Sequence, residues 1–362
     1  MLPQIKGTHM INLLPSLLVI GLCIGILLIV RRGVIAQRRE DLAIAAHRGN
    51  AADVVVAGKL MRVMRARHLL AIGVALLGAF GMFMLQGFFP KSFGIFLLGS
   101  PLVAATLAMG IYAFWKLPTN LKADARSADK RISAGLIPRS TGMFGPAWGI
   151  LVPGLFAGSL LLGLLIAGFF SGPDERGLFR NLPLTSFSGA TLDENMVVTE
   201  ISATTGSTGP FPGWYYGVPI MGLLVIVGIL TLWALHTNTR RPSLHSAGLQ
   251  EFDTAARNHE GYVISTGVSM LLCFQSVLLL FMAAMSLYSG AVSAAYEIGM
   301  TVEPGIPVPS AVDTGLAALS ATLGIIALLL IFTGVALLVK LFGWVGSTFG
   351  SLEQKSNESA SA

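Results

Sequence analysis

The side chains best suited to chemistry are mildly polar, and most of them lie inside long apolar runs. The most polar groups within those runs are hydroxyls and amides, namely Thr106, Ser269, Gln275, Ser276, Ser320, Thr322 and Thr333. Proton relays and metal sites at membrane depth need ionisable groups, and the runs contain no Lys, Arg, Asp or Glu, with His236 only at the end of one run. We therefore predict no catalytic residue, no cofactor and no metal. Gln275, Thr106 and Ser276 are candidates for a weakly polar path or for helix packing.

Several classes of membrane protein are excluded by what the runs lack. A retinal protein needs a buried Lys and a membrane haem needs paired histidines, and neither occurs within a run. The chain has no P-loop, GxSxG or HExxH motif. His236, His245 and His259 share a segment with Asp253 and Glu260, but their spacing matches no metal-ligand pattern.

The composition indicates a membrane protein. Of 362 residues, 54% are hydrophobic and 12% are charged, against roughly 25% charged in soluble proteins. The mean hydropathy is +0.73. Seven runs are long enough to cross a bilayer. They cover 11–30, 69–89, 95–115, 147–170, 214–236, 263–288 and 314–339. We predict an all-α integral membrane protein with seven transmembrane helices in a single domain spanning 1–362.

The charges predict the orientation. Every Lys, Arg, Asp and Glu lies outside the runs. If the N-terminus is outside, 20 of the 24 basic residues lie in the inner segments, which are 31–68, 116–146, 237–262 and 340–362. The positive-inside rule therefore predicts an outer N-terminus and an inner C-terminus. The first run is predicted to be a retained anchor, since its arginines follow it. This topology explains the net charge of +6, so we expect no nucleic-acid partner.

An internal repeat links two parts of the chain. Segments 99–120 and 217–238 align without a gap, and the pattern W-x-L-x-T-N ends both. The same offset aligns 149–172 with 267–290. We predict a parallel tandem repeat of two-helix hairpins, 95–172 and 213–290. The alternative is convergent chemistry at span ends. Asn120 and Asn238 are equivalent positions, which either cap helices or line an inner mouth.

The segments outside the runs have distinct predicted roles. The stretch 54–67 in the inner loop 31–68 predicts a basic amphipathic helix on anionic inner-leaflet lipids. The outer loop 171–213 contains a possible short strand at 196–201. The inner tail 340–362 is predicted to be partly disordered. Aromatic residues near span ends are predicted interfacial anchors, namely Trp115, Trp214, Tyr215, Tyr216 and Trp233.

The outer loop carries a resemblance. The signatures Ser171-Gly-Pro-Asp-Glu-Arg-Gly-Leu-Phe-Arg180 and Pro210-Phe-Pro-Gly-Trp-Tyr-Tyr-Gly217 precede a span that ends near Arg240-Arg-Pro242. Together they resemble uncharacterised multi-pass membrane proteins of high-GC Gram-positive bacteria, over roughly residues 95–245. The resemblance implies a plasma-membrane location and no activity.

Two classes of function remain. The first is a non-catalytic accessory or scaffold subunit that packs on other membrane proteins. The second is a permease-like protein for a hydrophobic or lipid-like solute, energised by a separate chain. Whether Gln275 and Thr106 face a cavity or a packed core distinguishes them. A third class, an enzyme that acts on lipid, is less favoured. Its candidate acids would be Asp174, Glu175, Asp193 and Glu194, and acids in an outer loop are ordinarily solvated and have no catalytic role.

Overall fold

Six long α-helices make up most of the structure, a computed structural model that describes residues 51–118, 143–195, 197–244, 249–293 and 312–348. The helices are α1 (Ala51–Phe88), α2 (Ile95–Phe114), α3 (Leu151–Phe169), α4 (Trp214–Arg240), α5 (Gln250–Ser293) and α6 (Thr314–Ser347). Within the described residues, these six are long and apolar enough to cross a membrane. The prediction of a mainly helical chain compatible with multi-pass insertion is thus confirmed. The predicted first span, 11–30, lies outside the described residues.

Local sequence explains where several helices begin and end. Asp313 caps α6, because its carboxylate accepts hydrogen bonds from the backbone N–H groups of Gly315 and Leu316. α2 ends at Phe114, and the next residue, Trp115, has an extended backbone three residues before Pro118. Pro101 and Pro219 lie in the second turns of α2 and α4. The two prolines are equivalent positions in the predicted repeat, and they occupy the same turn of their helices.

Consecutive helices run in opposite directions, so α2 and α4 are parallel. The rings of Phe93 and Tyr215 lie 6.4 Å apart near the starts of these two helices. The rings of Phe114 and Trp233 lie 5.6 Å apart near their ends. The main core lies where α2, α4 and α5 meet. Its fully buried side chains include Leu102, Ala105, Met109, Ile220 and Ile264.

The connection from α3 to α4 folds into an antiparallel sheet, which corrects the all-α prediction. Its strands, in order β1-β2-β3, are β1 (Gly172–Pro173), β2 (Phe179–Leu192) and β3 (Val198–Thr208). The single short strand predicted at 196–201 covers only part of β3. Leu182 and Phe211 pack on Ala283 and Leu287 of α5. This contact places the sheet at one end of the helices, here called the sheet end.

At the opposite end, here called the basic end, three helices continue past the predicted spans. α1 begins at Ala51 and not near 69, α5 begins at Gln250 and not near 263, and α6 extends to Ser347. At 1.5 Å per residue, the 38 residues of α1 and the 44 of α5 measure about 57 and 66 Å. A bilayer core is about 30 Å thick, so a hydropathy scan finds only part of each helix.

The apolar face of the stretch 54–67 is covered by protein. Val56, Leu60 and Met64 are buried against a cluster that includes Leu249 and Phe252. The same spacing fits a lipid surface or another helix, and here the beginning of α5 supplies the partner. Lys59 and Arg62 are exposed, so their binding to anionic lipid stays a prediction.

The first residues of the predicted inner tail, 340–347, belong to α6. Residues 349–362 lie outside the described part of the chain.

Candidate functional site: a capping network at the basic end

Three of the described helices, α2, α4 and α6, end at the basic end. The last four carbonyl groups of any α-helix have no partner within the helix, and these ends carry the negative pole of the helix dipole. Each of the three ends receives an arginine or histidine from α1 or α5, the two long helices that extend past it. The donors are Arg65, Arg67, Arg257 and His259, here called the capping network.

Arg257 caps α4 with every donor that it has. Its Nη1 donates to the carbonyl oxygens of residues 238 and 239, at 3.0 and 2.9 Å. Its Nη2 donates to those of residues 241 and 242, at 2.7 and 3.1 Å. Its Nε donates to Asp253 at 2.9 Å, and Asp253 also accepts from Arg241 at 2.8 Å. Five N–H groups therefore make five hydrogen bonds, so the buried guanidinium is fully satisfied.

Arg67 caps α2 and carries a buried ion pair. Its Nη2 donates to the carbonyl oxygen of Tyr112, and its Nη1 lies 2.8 Å from Oε1 of Glu260. The residues are 3% and 1% exposed. A buried charge without a partner is strongly destabilising, so the pair fixes α1, α2 and α5 relative to one another.

The end of α6 is held from two sides. Nε2 of His259 lies 2.7 Å from the carbonyl oxygen of Trp344 and 3.2 Å from the hydroxyl of Ser347. Arg65 donates to the carbonyl oxygen of Thr348 at 2.7 Å. Both donors come from the long helices, as at the other two ends.

A second set of contacts joins the histidines. Nδ1 of His68 lies 2.7 Å from the hydroxyl of Tyr112, and the rings of His68 and His259 lie 5.5 Å apart. Among the described residues, Nε2 of His68 and Oε2 of Glu260 have no hydrogen-bond partner. No three metal-ligating side chains converge within that same part of the chain. The geometry of the capping network thus fits the fixing of helix ends.

The network includes residues that the sequence analysis did not identify. Asp253 and Arg257 are four residues apart with opposite charges, which is a local signal on a helix. Arg67 and Glu260 are separated by 193 residues, so no local sequence pattern predicts that they pair.

The polar side chains inside the apolar helices do not converge. Gln275 is 0% exposed, and its amide atoms have no hydrogen-bond partner among the described residues. Thr106 and Ser276 donate to carbonyl oxygens of their own helices, each at 2.8 Å. An apolar groove of about 200 Å³ between α3, α4 and α5 is lined by none of the three. The structure therefore brings these candidates into the packed bundle and not to one cavity.

Asn238 is buried and donates to the carbonyl oxygen of Arg257 at 2.9 Å, so it belongs with the cap of α4 and does not line a mouth. Asn120, its predicted equivalent, lies outside the described residues. Trp115 and Trp233 are 39% and 49% exposed, at the basic end of parallel helices.

The aromatic residues at the start of α4 hold the sheet end together. Trp214 packs edge-on against Phe169, with the ring centroids 5.4 Å apart. Tyr215 donates to the carbonyl oxygen of Ser92 at 3.1 Å. Tyr216 is fully buried, so it does not lie in an interfacial girdle as predicted.

Phe93 lies at the centre of these contacts at the sheet end. Its φ of +52° is in the left-handed region, and its carbonyl oxygen accepts from the Tyr216 hydroxyl at 2.8 Å. The guanidinium of Arg180 lies 3.5 Å from the centroid of its ring and 2.5 Å from Asp174. Burial opposes ionisation of Asp174, but the hydrogen bonds from Arg180 and from backbone N–H groups outweigh it and lower the pKa of Asp174. This acid is thus a structural residue.

No protein-family model, curated protein or solved structure matches the chain. The fold alone therefore defines the class, which is a mainly helical protein with six described helices suited to a multi-pass membrane protein.

Proposed function

We propose that this protein is a non-catalytic accessory or scaffold subunit of a plasma-membrane complex. The observation that carries the proposal is the burial of Gln275 in the packed bundle, away from the apolar groove. The weakly polar path of a permease-like protein would need such side chains to face a common cavity. The hydroxyls of Thr106 and Ser276 are hydrogen-bonded within their own helices. These polar groups therefore contribute to helix packing and do not line a path.

The capping network supports a static role. Arg67, Arg257 and His259 fix three helix ends through buried hydrogen bonds. A carrier that alternates between two states must rearrange its helices, and rearrangement would expose these buried charges. A frame with fixed ends is suited to holding partner proteins in position.

Two surfaces are suited to partners. Phe80, Leu76 and Leu77 of α1 are well over half exposed on a face that lipid or another membrane helix would cover. The tip of the sheet, residues 193–195, is exposed beyond the sheet end.

The proposed topology has seven spans with the N-terminus outside and the C-terminus inside. The unequal distribution of basic residues supports it, and so does the alternating direction of α1 to α6. The parallel packing of α2 and α4 supports the tandem repeat, since two copies inserted in one orientation would place these helices in the same direction.

The alternative function is a permease-like one for a hydrophobic or lipid-like solute, energised by a separate chain. The groove between α3, α4 and α5 favours it, because its lining is almost entirely apolar. Its volume of about 200 Å³ is below the roughly 300–1,000 Å³ of pockets for drug-sized ligands.

The test is site-specific photo-crosslinking in native membranes, followed by purification in polymer nanodiscs. A photoreactive residue replaces Leu77 on α1, Arg62 at the basic end or Asn195 at the tip of the sheet, and Ala105, which is 0% exposed, is the matched control site. We expect at least one exposed site, and not Ala105, to crosslink to a defined polypeptide that co-purifies in stoichiometric amount.

Purification of the protein alone, with crosslinks only to lipid at all three exposed sites, would contradict the scaffold role. A defined small molecule or lipid that co-purifies and is displaced by Ala157→Trp in the groove would support the permease-like alternative.

A further inference from the structure

His68 is a histidine of α1 that lies fully buried at the basic end. The residue is 0% exposed, and its Nδ1 lies 2.7 Å from the hydroxyl of Tyr112. Its Nε2 has no hydrogen-bond partner in the described part of the chain. A neutral imidazole has one N–H group to satisfy, whereas a charged imidazole has two. The hydrogen bonds of this site therefore favour the neutral ring.

The charges around His68 favour the neutral ring as well. Its neighbour on α1, Arg67, is positively charged, and Glu260 of α5 balances that charge at 2.8 Å. The ring of His259, also from α5, lies 5.5 Å from the ring of His68. From α2, Tyr112 contributes a hydroxyl. A proton on His68 would thus add a positive charge that Glu260, already paired with Arg67, does not balance, and an uncompensated buried charge is strongly unfavourable.

The end of α6 acts on His68 through His259. The carbonyl oxygen of Trp344 can only accept, so Nε2 of His259 is the donor in their 2.7 Å contact. Positive charge on His259 is favourable at this negative end of the helix dipole, and it opposes a second charge on His68. α6 has one titratable side chain, Lys340, and it is exposed. Arg65 of α1 donates to the carbonyl oxygen of Thr348, just beyond the same helix end.

We propose that His68 is a proton-binding site that keeps the basic end closed while it is neutral and opens it when it is protonated. The proton would place like charges on α1, at Arg67 and His68, against His259 of α5. The beginning of α1 is held on α5 by apolar packing that includes Leu60 and Phe252. This contact is the one that the added charge would weaken. The proton site does not depend on the scaffold role.

Linkage gives the direction and the size of the effect. In an opened basic end, water reaches the ring of His68, which then titrates near its ordinary value of about 6.5. The open form takes up a proton below that pH and the closed form does not, so acid favours opening. One such proton increases the open fraction about tenfold between about pH 7.5 and about pH 5.5.

The test is hydrogen exchange of the protein in nanodiscs of zwitterionic lipid, measured at about pH 7.5 and about pH 5.5 and corrected for intrinsic rates. We expect exchange in residues 56–66 of α1 and 250–256 of α5 to accelerate about tenfold on acidification. Exchange in residues 198–208 of β3 should stay unchanged, since the carboxylates of the sheet titrate at lower pH. Equal corrected rates at the two pH values in α1 and α5 would overturn the proposal.

Two substitutions identify the group that binds the proton. His68→Gln keeps a side-chain amide that can hydrogen-bond to Tyr112 but takes up no proton, so it should abolish the acceleration. His236→Gln is the matched control, because His236 is a half-buried histidine of α4 near the same end. It should leave the tenfold acceleration in place. Acceleration that persists in His68→Gln, or that disappears in His236→Gln, would contradict a site at His68.

NMR of the unaltered chain with ¹⁵N-labelled histidine tests the site without any substitution, and so also covers a failure of His68→Gln to fold. The signal of His68 is identified by its proximity to the hydroxyl-bearing ring of Tyr112. We expect a neutral ring at about pH 7.5 that is still neutral at about pH 5.5, where histidines in water are charged. A His68 ring that is charged at the higher pH, or that titrates together with solvent-exposed histidines, would refute the proposal.

Discussion

Arg257 is a single side chain that completes the end of a helix. Its five donors serve one carboxylate and four carbonyl groups at the end of α4, where the helix itself offers no partners. A lysine carries the same charge but has three donors on a flexible stem and no planar fork. Charge alone therefore cannot replace the arginine here.

We predict that Arg257→Lys lowers the free energy of unfolding by about 3 kcal/mol, since buried carbonyl groups lose their donors at about 1–3 kcal/mol each. Thermal unfolding of the protein in nanodiscs measures the change. Arg62→Lys, on the exposed face of α1, is the control and should leave the melting temperature within about 1 °C. Equal melting temperatures for the two variants would mean that the cap is dispensable.

Sequence reasoning could find few members of the capping network. The opposite charges of Asp253 and Arg257 are close enough in sequence to be read as a helical pair. Arg67 looks like any basic residue beyond a span, because its partner Glu260 is set by the packing of two helices and not by local sequence. Gln275 was identified as polar and deep, but only the structure places it in the packed bundle.

At the scale of elements, the contact between α3 and α4 depends on one glycine. A Cβ atom on Gly168 would lie 2.7 Å from the indole of Trp214, closer than atoms can approach. The first turn of α4 can therefore lie against the last turn of α3 only while this position lacks a side chain.

We predict that Gly168→Val lowers the melting temperature by several degrees and shifts the fluorescence of Trp214, because overpacking costs about 1–3 kcal/mol. Gly163→Val is matched in helix and chemistry, and its site is open. If Gly163→Val were as damaging as Gly168→Val, helix propensity and not the indole contact would explain the loss.

The attachment of the sheet should depend on pH. The pKa of Asp174 is lowered, so its ionised form stabilises the fold above the unfolded pKa of about 3.9, and this contribution is lost as pH falls through the folded pKa. We predict that hydrogen exchange in residues 172–180, corrected for intrinsic rates, accelerates below about pH 4 and that Asp174→Asn abolishes this pH step.

Asp193 provides the control for that experiment. Its pKa is lowered by hydrogen bonds from the backbone N–H groups of Val197 and Asn195 at the turn between β2 and β3. Asp193→Asn should remove a pH step at residues 192–198 and keep the one at residues 172–180. Loss of both steps in either variant would indicate that the sheet opens as one unit.

The elements were predictable to different degrees. Hydropathy located all six described apolar helices, because long apolar runs have few other solutions in lipid. It placed the starts of α1 and α5 too late, since their polar continuations are stabilised by packing between Leu60 and Phe252. The sheet was harder to predict because β2 and β3 are rich in Ser, Thr and Gly and lack a strong alternation of apolar residues.

At the scale of the whole molecule, the orientation is the property that most directly decides which partners are accessible. We predict that a membrane-impermeant maleimide added from outside labels Ser188→Cys, in β2, and does not label Ser127→Cys, in the segment between α2 and α3. Detergent permeabilisation should then expose Ser127→Cys. The reverse pattern would mean that the sheet end faces the cytoplasm and that the basic end faces outward.

The length of α5 has a mechanical consequence. One continuous helix of about 66 Å contacts the sheet through Leu287 and holds the ends of two other helices through Arg257 and His259. The spacing between the sheet and those capped helix ends is therefore set by one rigid element and not by a chain of loops.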